Sequence, residues 1–209
     1  MNKRVLAGGT AVALTATMGL GALGAGPAQA AGNKPLSSVL DTGGFDRNGQ
    51  DFDVVSQAVL AVLGDDPSSP VSLLTKGKQR ATAFLPNDAA FKRLASALTG
   101  KQVRSEKKAF EAVAGLGLDT VEEVLLLHVV PGATISAKKA LKSDGAKLMT
   151  AQGEKLTVVV KRAHSHNPKV TIRDLSKTSS NARVVVADIN KGNKQIAHGI
   201  NNVLLPKAL

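Results

Sequence analysis

Residues 82–91 read TAFLPNDAAF, and this stretch decides the predicted fold. Thr82–Leu85 has the β-branched and apolar character of a buried strand. Pro86 ends that strand because it lacks an N–H group and fixes its own φ angle. Asn87 and Asp88 then offer side-chain oxygens to the free N–H groups of a helix that starts here. This helix is expected to end at Gly100. Its apolar stripe is predicted to consist of Phe91, Leu94, Ala95 and Leu98.

Helical patterns surround this strand–turn–helix unit through the first two-thirds of the chain. Thr120-x-x-Glu123 is a capping box, and the helix that it starts carries His128 on its apolar stripe in the last turn. Pro131 and Gly132 are expected to terminate that helix. The predicted helices begin at Asp51, at Asn87 or Asp88, at Ser105 and at Thr120, and they end near Gly64, Gly100, Ala114 and Pro131.

Strand patterns fill the last third of the chain. They cover residues 155–161, 169–173, 183–189 and 195–205. The run 183–189 is apolar without alternation, which predicts a strand covered on both faces. Helices first and strands last, without regular β-α-β alternation, predict an α+β fold.

Three segments in this order resemble the fasciclin-like domain. The first is residues 82–91, the second is LLLHVVPG at 125–132, and the third is VVVADI at 184–189 followed by QIAHGINNVLLP at 195–206. The resemblance extends over about residues 36–205. It implies helices packed against a strand-rich β wedge, and it implies an extracellular adhesion or interaction module that has no catalytic activity and no cofactor.

The resemblance also assigns structural roles to particular residues. It implies that Thr82 and Asp88 bond to each other across the corner after the first strand. It implies further motif positions, which are Pro86, Asn87, His128, Pro131, Gly132 and Asp188.

Two departures from the family pattern limit what is carried over. Leu127 stands where the family usually has a tyrosine before the histidine, so the receptor binding of animal members is not expected here. In the third segment His198 comes one position late. Because a one-residue shift turns a strand side chain to the other face, either a bulge lies at Gly199 or His198 points outward.

Residues 1–30 have the features of a secretory signal peptide. Lys3 and Arg4 precede an uncharged apolar stretch, and Ala28-Gln29-Ala30 is a small-x-small cleavage pattern. Cleavage after Ala30 leaves residues 31–209 as a single domain. A secreted, extracellular, bacterial protein without a stable membrane anchor is therefore expected.

Composition narrows the possible chemistry. The 209 residues include no cysteine, which excludes disulfides, thiolate metal sites and cysteine-linked lipids. Lysine and arginine number 27 against 16 acids. This excess indicates either a solvated surface or attraction to an extracellular or cell-wall protein or polyanionic polymer. Export and the near absence of aromatic residues disfavour nucleic acid, while the oligomeric state stays open.

Four patterns have a competing functional interpretation. His128 is interpreted as a buried or capping histidine rather than a catalytic base, and His164-Ser165-His166 as a hairpin rather than a metal site. Asp46-x-Asn48-x-Gln50-Asp51-x-Asp53 is similar to the start of a calcium loop, although it lacks the glycine and glutamate that such a loop needs; helix capping explains it equally.

The fourth pattern has the short motifs of penicillin-recognising serine enzymes at the wrong spacing. It comprises Ser105-x-x-Lys108, Ser143-Asp144-Gly145 and Lys177-Thr178-Ser179. Besides adhesion, two alternatives therefore stay open: a carrier of a small apolar ligand, and a serine hydrolase.

Overall fold

A computed structural model describes residues 31–40, 43–161 and 168–209 of the chain. The predicted signal peptide and the His164-Ser165-His166 hairpin lie outside the described residues. The helices are α1 (Asp53–Asp65), α2 (Asp88–Thr99), α3 (Glu106–Ala114), α4 (Leu118–Leu127) and α5 (Ala137–Ala140), with 3-10 turns at Leu36–Ser38 and Pro70–Thr75. The strands are β1 (Ala81–Pro86), β2 (Val129–Pro131), β3 (Lys147–Met149), β4 (Lys155–Lys161), β5 (Lys169–Arg173), β6 (Ala182–Ile189) and β7 (Gln195–Ile200).

The seven strands form one mixed sheet in the order β2-β1-β7-β6-β5-β4-β3. β1 and β7 run parallel and are paired over their whole lengths, whereas the other neighbours are antiparallel. The sheet therefore joins the early strand β1 to the last strand of the chain. Helices and a mostly antiparallel sheet in separate regions confirm the α+β prediction.

The sheet divides into two halves between β5 and β6. These strands are paired only at Thr171–Arg183 and Ile172–Ala182, after which β6 continues without β5 beside it. The prediction that residues 183–189 form a strand covered on both faces is wrong, because Val185 and Val186 are 40% and 42% exposed. β6 thus has an apolar edge that faces the gap between the halves.

Two hydrophobic clusters form the core. The larger one packs the inner faces of α1 to α4 against one side of β1 and β7. The smaller one fills the wedge between the sheet halves, and its fully buried members include Leu127, Leu156, Ile200 and Leu204. Leu127, which replaces the family's tyrosine, therefore serves as a core residue.

Helix starts agree with the sequence where a local side-chain cap exists. Asn87 caps α2 and Ser105 caps α3, and each side chain accepts a hydrogen bond from a first-turn amide. The predicted start at Thr120 is wrong, since α4 begins at Leu118 after Gly117 and has no side-chain cap. The predicted end at Pro131 is also wrong because residues 129–131 pair with β1 as strand β2.

Gly199 allows a close approach between β7 and the start of α1. A β-carbon at this position would lie 2.8 Å from Cζ of Phe52 and 3.0 Å from Cβ of Val186. β7 ends one residue later, so the extended run predicted to Leu205 is shorter than expected. Among the described residues, no helix combines the length and apolarity needed to cross a membrane.

Candidate functional site

Asp88 joins three elements at the corner after β1. The residue is completely buried, and its Oδ1 and Oδ2 accept hydrogen bonds from the backbone amides of Val54 at 2.9 Å and Asp53 at 3.1 Å. Those amides open α1, whose own N-cap, Phe52, supplies no side-chain acceptor. Asp88 therefore caps α1, in place of the predicted cap Asp51, while the neighbouring Asn87 caps α2 through the Ala90 amide at 3.0 Å.

The carboxyl groups of Asp51 and Asp88 interact with each other at this corner. Burial first, and then the hydrogen bond and like charge of Asp51, raise the pKa of Asp88 from 3.8 to about 8, in spite of the opposing Val54 and Asp53 amides. Oδ1 of Asp51 is buried, and among the described residues it has no hydrogen-bond partner by geometry. Because buried polar atoms are almost always paired, we assign one proton to the Asp51–Asp88 pair, which gives this oxygen its donor.

The predicted calcium loop is held by its own side chains. The carboxylate Oδ1 of Asp46 accepts the Asn48 amide at 2.5 Å, and the side-chain Oδ1 of Asn48 accepts the Gln50 amide at 3.3 Å. Buried Glu106 accepts the Asp46 amide at 2.6 Å and the Lys92 ammonium group at 3.0 Å. Carboxylate oxygens of Asp46, Asp51 and Glu106, and of Asp51, Asp53 and Asp88, lie within 4.8 Å of one another. The calcium hypothesis stays a hypothesis.

His128 connects the end of α4 to the C-terminal segment. Its Nδ1 donates to the Val124 carbonyl at 2.7 Å, and its Nε2 accepts from the Leu204 amide at 3.0 Å. Burial lowers the pKa of His128 to about 4, although the hydrogen bond to Val124 opposes the shift. The ring is therefore neutral at pH 7, and neither nitrogen is left to act as a base.

Thr82 is bonded differently from the family-based expectation. Its hydroxyl donates to the Ala133 carbonyl at 2.8 Å and accepts from the Ile135 amide at 2.9 Å. The expected bond between Thr82 and Asp88 is wrong because an extended strand separates them. At about 3.3 Å per residue the side chains are too far apart to meet.

His198 points into the wedge. It is 2% exposed, its Nε2 donates to the Ile135 carbonyl at 2.7 Å, and its Nδ1 accepts from the Asp188 amide at 3.3 Å. Burial lowers the pKa of His198, while the Ile135 bond and the Asp188 charge oppose this. The irregularity lies opposite Gly199 in β6, where Val184 pairs with Ile200 but Val186 pairs with Gly199. The alternative of an outward-pointing His198 is therefore wrong.

The turn segment, residues 133–137, is held by the motif residues from three strands. Thr82 and His198 bind it at Ala133 and Ile135, and the Asp188 Oδ1 accepts the Ala137 amide at 2.7 Å. Asp188 has a φ of 59°, which places its side chain at this contact. The motif thus fixes the start of α5 over the mouth of the wedge.

The remaining motif residues shape the chain around this segment. Pro86 is the last residue of β1 and pairs with Ile200, and Pro131 pairs with Ala81 at the end of β2. Gly132 has a φ of 76°, and its amide donates to the Arg80 carbonyl at 2.8 Å. A side chain is disfavoured at this φ, so glycine lets β2 turn into residues 133–137.

An open groove lies beside α5, where the two sheet halves diverge. Its volume is about 530 Å³. Side chains from α5, β5 and β6 line it: Ala137, Leu141, Pro168, Lys169, Val170, Arg183, Val184, Val185 and Ala187. The groove combines an apolar floor with two cationic side chains.

A family model for the fasciclin domain matches residues 68–206. The chain belongs to the fasciclin domain family. This match and the α+β architecture confirm the fold inferred from the three sequence segments. The matched region begins at residue 68, later than the start near residue 36 that the sequence resemblance predicted.

Known structures and curated proteins add little to the family assignment. One solved structure similar to this chain is the FAS1 domain pair from the insect cell adhesion molecule fasciclin I, at 18% identity and a TM-score of 0.47. The match covers 73% of this chain and 43% of that chain, so this fasciclin domain spans less than half of the pair. No curated protein matches the chain.

The hydroxyl groups of the serine-enzyme pattern have structural partners in this fasciclin domain. Ser105 caps α3, and the Ser143 hydroxyl donates to the Lys139 carbonyl at 2.8 Å. The Ser179 hydroxyl donates to the Asp174 carboxylate at 2.6 Å. None of these contacts pairs a serine with a basic side chain, as nucleophile activation requires.

Two buried polar residues were not identified from the sequence. Gln195 is completely buried; its Oε1 accepts a hydrogen bond from the Leu36 amide at 2.8 Å, and its Nε2 donates to the Leu73 carbonyl at 2.7 Å. Glu106 is 1% exposed and holds the loop before α1. The sequence did contain a signal for Gln195, because it is a polar residue at the start of an otherwise largely apolar strand.

Replacing Thr82 with valine tests the support of residues 133–137. The substitution keeps the shape but leaves the Ile135 amide and the Ala133 carbonyl without a partner, so we expect the free energy of unfolding to fall by about 1–3 kcal/mol. Thr82→Ser keeps the hydroxyl and is expected to cost less. Urea unfolding followed by circular dichroism measures both, and equal losses would contradict this role.

Proposed function

We propose that this fasciclin domain is a secreted adhesion module that binds extracellular or cell-wall polyanions through lysines on α5. The α5 patch consists of Lys138, Lys139 and Lys142, all exposed. Family membership supports the general function of adhesion or interaction. The patch is the observation that supports the specific ligand class.

The α5 patch concentrates three positive charges within five residues. Ion pairs in the described part of the chain involve Lys92 and Lys191 but none of the patch lysines. The nearest acid along the chain, Asp144, already accepts the Val160 amide at 2.7 Å. Clustered cations of this kind attract polyanions at long range, and the bonds to residues 133–137 hold the patch in place.

We also propose export after removal of residues 1–30. The pattern at Ala28-Gln29-Ala30 supports it, and so do two backbone hydrogen bonds that Gly32 makes with the domain. The Gly32 amide donates to the Gly192 carbonyl at 2.8 Å, and the Gly32 carbonyl accepts the Lys194 amide at 2.8 Å. Mass determination of protein from culture supernatant tests this proposal, and a secreted species that begins before residue 31 would contradict it.

Two observations support a non-catalytic function. Both buried histidines use their ring nitrogens to bind backbone groups. The serines of the enzyme-like pattern likewise bind structural partners. A hydrolase screen that found turnover abolished by Ser105→Ala would overturn this part of the proposal.

Binding to immobilised dextran sulfate tests the adhesion proposal. The variant with Lys138, Lys139 and Lys142 changed to glutamine is expected to bind about tenfold more weakly at low salt, and raising the salt should weaken wild-type binding because the charges are screened. A variant with Lys101, Lys107 and Lys108 changed to glutamine carries the same net charge and serves as the control. Equal loss in both variants, or binding unaffected by salt, would contradict the proposal.

A further inference from the structure

The groove between β5 and β6 has the chemistry of a ligand site rather than of a flat surface. After the Ile172–Ala182 and Thr171–Arg183 pairs, β5 and β6 separate, and the groove lies between them. Val185 is 40% exposed within the groove. A volume of about 530 Å³ falls in the range of small-molecule sites, about 300–1,000 Å³.

Positive charge stands beside this apolar floor. Lys169 and Arg183 line the groove from the two diverging strands, and within the described residues neither has an ion pair. The closest carboxylate in sequence to the lining residues is Asp188. It is already bound to the Ala137 amide at 2.7 Å and to Lys191 at 3.5 Å.

A small void lies behind the groove inside the wedge. It measures about 20 Å³, and its lining is apolar except for His198. Ala137, Val170 and Val184 line both the groove and the void, so these side chains form the partition between them. The void gives the partition room to move inward. Since both ring nitrogens of His198 are bonded, the deep end offers no free polar group.

We propose that this groove binds a free fatty acid. Its carboxylate pairs with Arg183 and Lys169, and its alkyl chain lies on the apolar floor formed by Leu141, Val184 and Val185. An arginine fork matches a carboxylate with two parallel hydrogen bonds. Burying the chain removes apolar surface from water on both partners, which supplies the favourable free energy.

A fatty acid fits these observations better than an extended peptide does. A peptide could add to the open edge of β6 through backbone hydrogen bonds, but its amide groups would then face the apolar floor and the apolar void. An unpaired amide in such surroundings is costly. The single chain and single charge of a fatty acid match an apolar groove with cations beside it.

Titration calorimetry of the purified chain with dodecanoate tests the proposal. We expect one dodecanoate bound per protein, with dodecan-1-ol binding more weakly and dodecyltrimethylammonium not binding. Changing Lys169 and Arg183 to glutamine should weaken dodecanoate binding about tenfold, which corresponds to about 1.4 kcal/mol. Binding of dodecan-1-ol should change less than about threefold, since it carries no charge to pair.

A matched pair of variants locates the site. Val185→Asp places a carboxylate in the groove and should weaken dodecanoate binding at least about tenfold. Val186→Asp adds the same charge at 42% exposure on the same strand, outside the groove lining, and should leave binding unchanged. Thermal unfolding of each variant shows that it is folded.

Three results would overturn the proposal. The first is that dodecanoate does not bind below its micellar concentration. The second is that Val185→Asp and Val186→Asp weaken dodecanoate binding equally, and the third is that dodecyltrimethylammonium binds as tightly as dodecanoate. Binding of an extended acidic peptide in place of dodecanoate would assign the β6 edge to strand addition instead. Because the α5 lysines are unchanged in these variants, failure here leaves the polyanion proposal standing.

Discussion

Replacing His128 with alanine is expected to lower the free energy of unfolding by about 3–5 kcal/mol near neutral pH. The loss has two sources. The buried Leu204 amide loses its acceptor and the Val124 carbonyl loses its donor, and removal of a ring that is 4% exposed leaves a cavity in the core. Urea unfolding followed by circular dichroism measures the loss.

The pH dependence of this loss distinguishes the histidine from any other large core residue. The pKa of His128 is about 4 in the folded protein and 6.5 ordinarily, so the unfolded chain binds the proton first as pH falls. Wild-type stability should therefore decrease as pH falls through the window from 6.5 to 4. The alanine variant should lose less stability over this window. The pH dependence that remains in this variant is attributed to His198, whose pKa is also lowered.

Conservative variants at this position provide the control. His128→Gln and His128→Asn can each restore one of the two backbone hydrogen bonds, so each is expected to fall between wild type and alanine. A loss below about 1 kcal/mol in the alanine variant would contradict the connecting role. An unchanged unfolding curve combined with lost ligand binding would instead make His128 a contact residue.

Replacing Asp88 with alanine is the second large change, with an expected loss of about 2–4 kcal/mol. It removes the acceptor of both the Asp53 and Val54 amides, and α1 has no other side-chain cap. Helix α1 should therefore lose protection against hydrogen exchange at its first turn. Asn87→Ala, which removes the cap of α2 alone, is the matched comparison and should leave the first turn of α1 protected.

Asp51→Asn alters the same corner but is expected to stabilise the protein near pH 8, whereas Asp88→Ala destabilises it. The pKa of Asp88 is raised from 3.8 to about 8 in the folded protein, so the folded state holds a proton that the unfolded state releases. Stability from this group is full below pH 3.8 and is lost as pH rises towards about 8. An asparagine donates to the Asp88 carboxylate and removes the like charge, so it should stabilise the protein near pH 8 by about 1 kcal/mol.

Unfolding measured across pH tests this sign. Wild type should lose stability as pH rises from 6.5 to about 8, where the titration of Asp88 is no longer offset by that of His128, whereas Asp51→Asn should lose less. The histidines act in the opposite direction below pH 6.5, so wild-type stability is expected to be greatest close to neutrality. A variant less stable than wild type near pH 8, or with an identical pH profile, would show that the pair holds no shared proton.

Local patterns predicted the elements whose ends are defined by nearby residues. Asn87 and Gly100 bound α2, and Ser105 begins α3, because each contact spans only a few residues. The start of α4 was missed because the capping box at Thr120 predicts a start there. The helix begins instead at Leu118, where it has no side-chain cap that the sequence could reveal. Strand β2 was missed because its partner, β1, lies far away along the chain.

The site residues show the same division. Sequence motifs singled out Thr82, Asp88, His128 and Asp188, since their residue types and spacing follow the family. Most of their partners were not predictable, because the Ala133, Ile135, Val54, Leu204 and Ala137 backbone groups lie in segments distant in sequence. Val185 and its neighbours looked like a fully covered strand, and only the separation of β5 from β6 exposes them.

By itself, the sequence determined the α+β class, the family, the helices with local caps and the excess of positive charge, because each depends on residue type and short-range spacing. The tertiary structure alone decided which backbone groups the buried polar side chains bind, that His198 points into the core, and where the sheet opens into a groove. These features depend on contacts between residues distant in sequence. Their free energy is set by burial and by the pairing of groups removed from water.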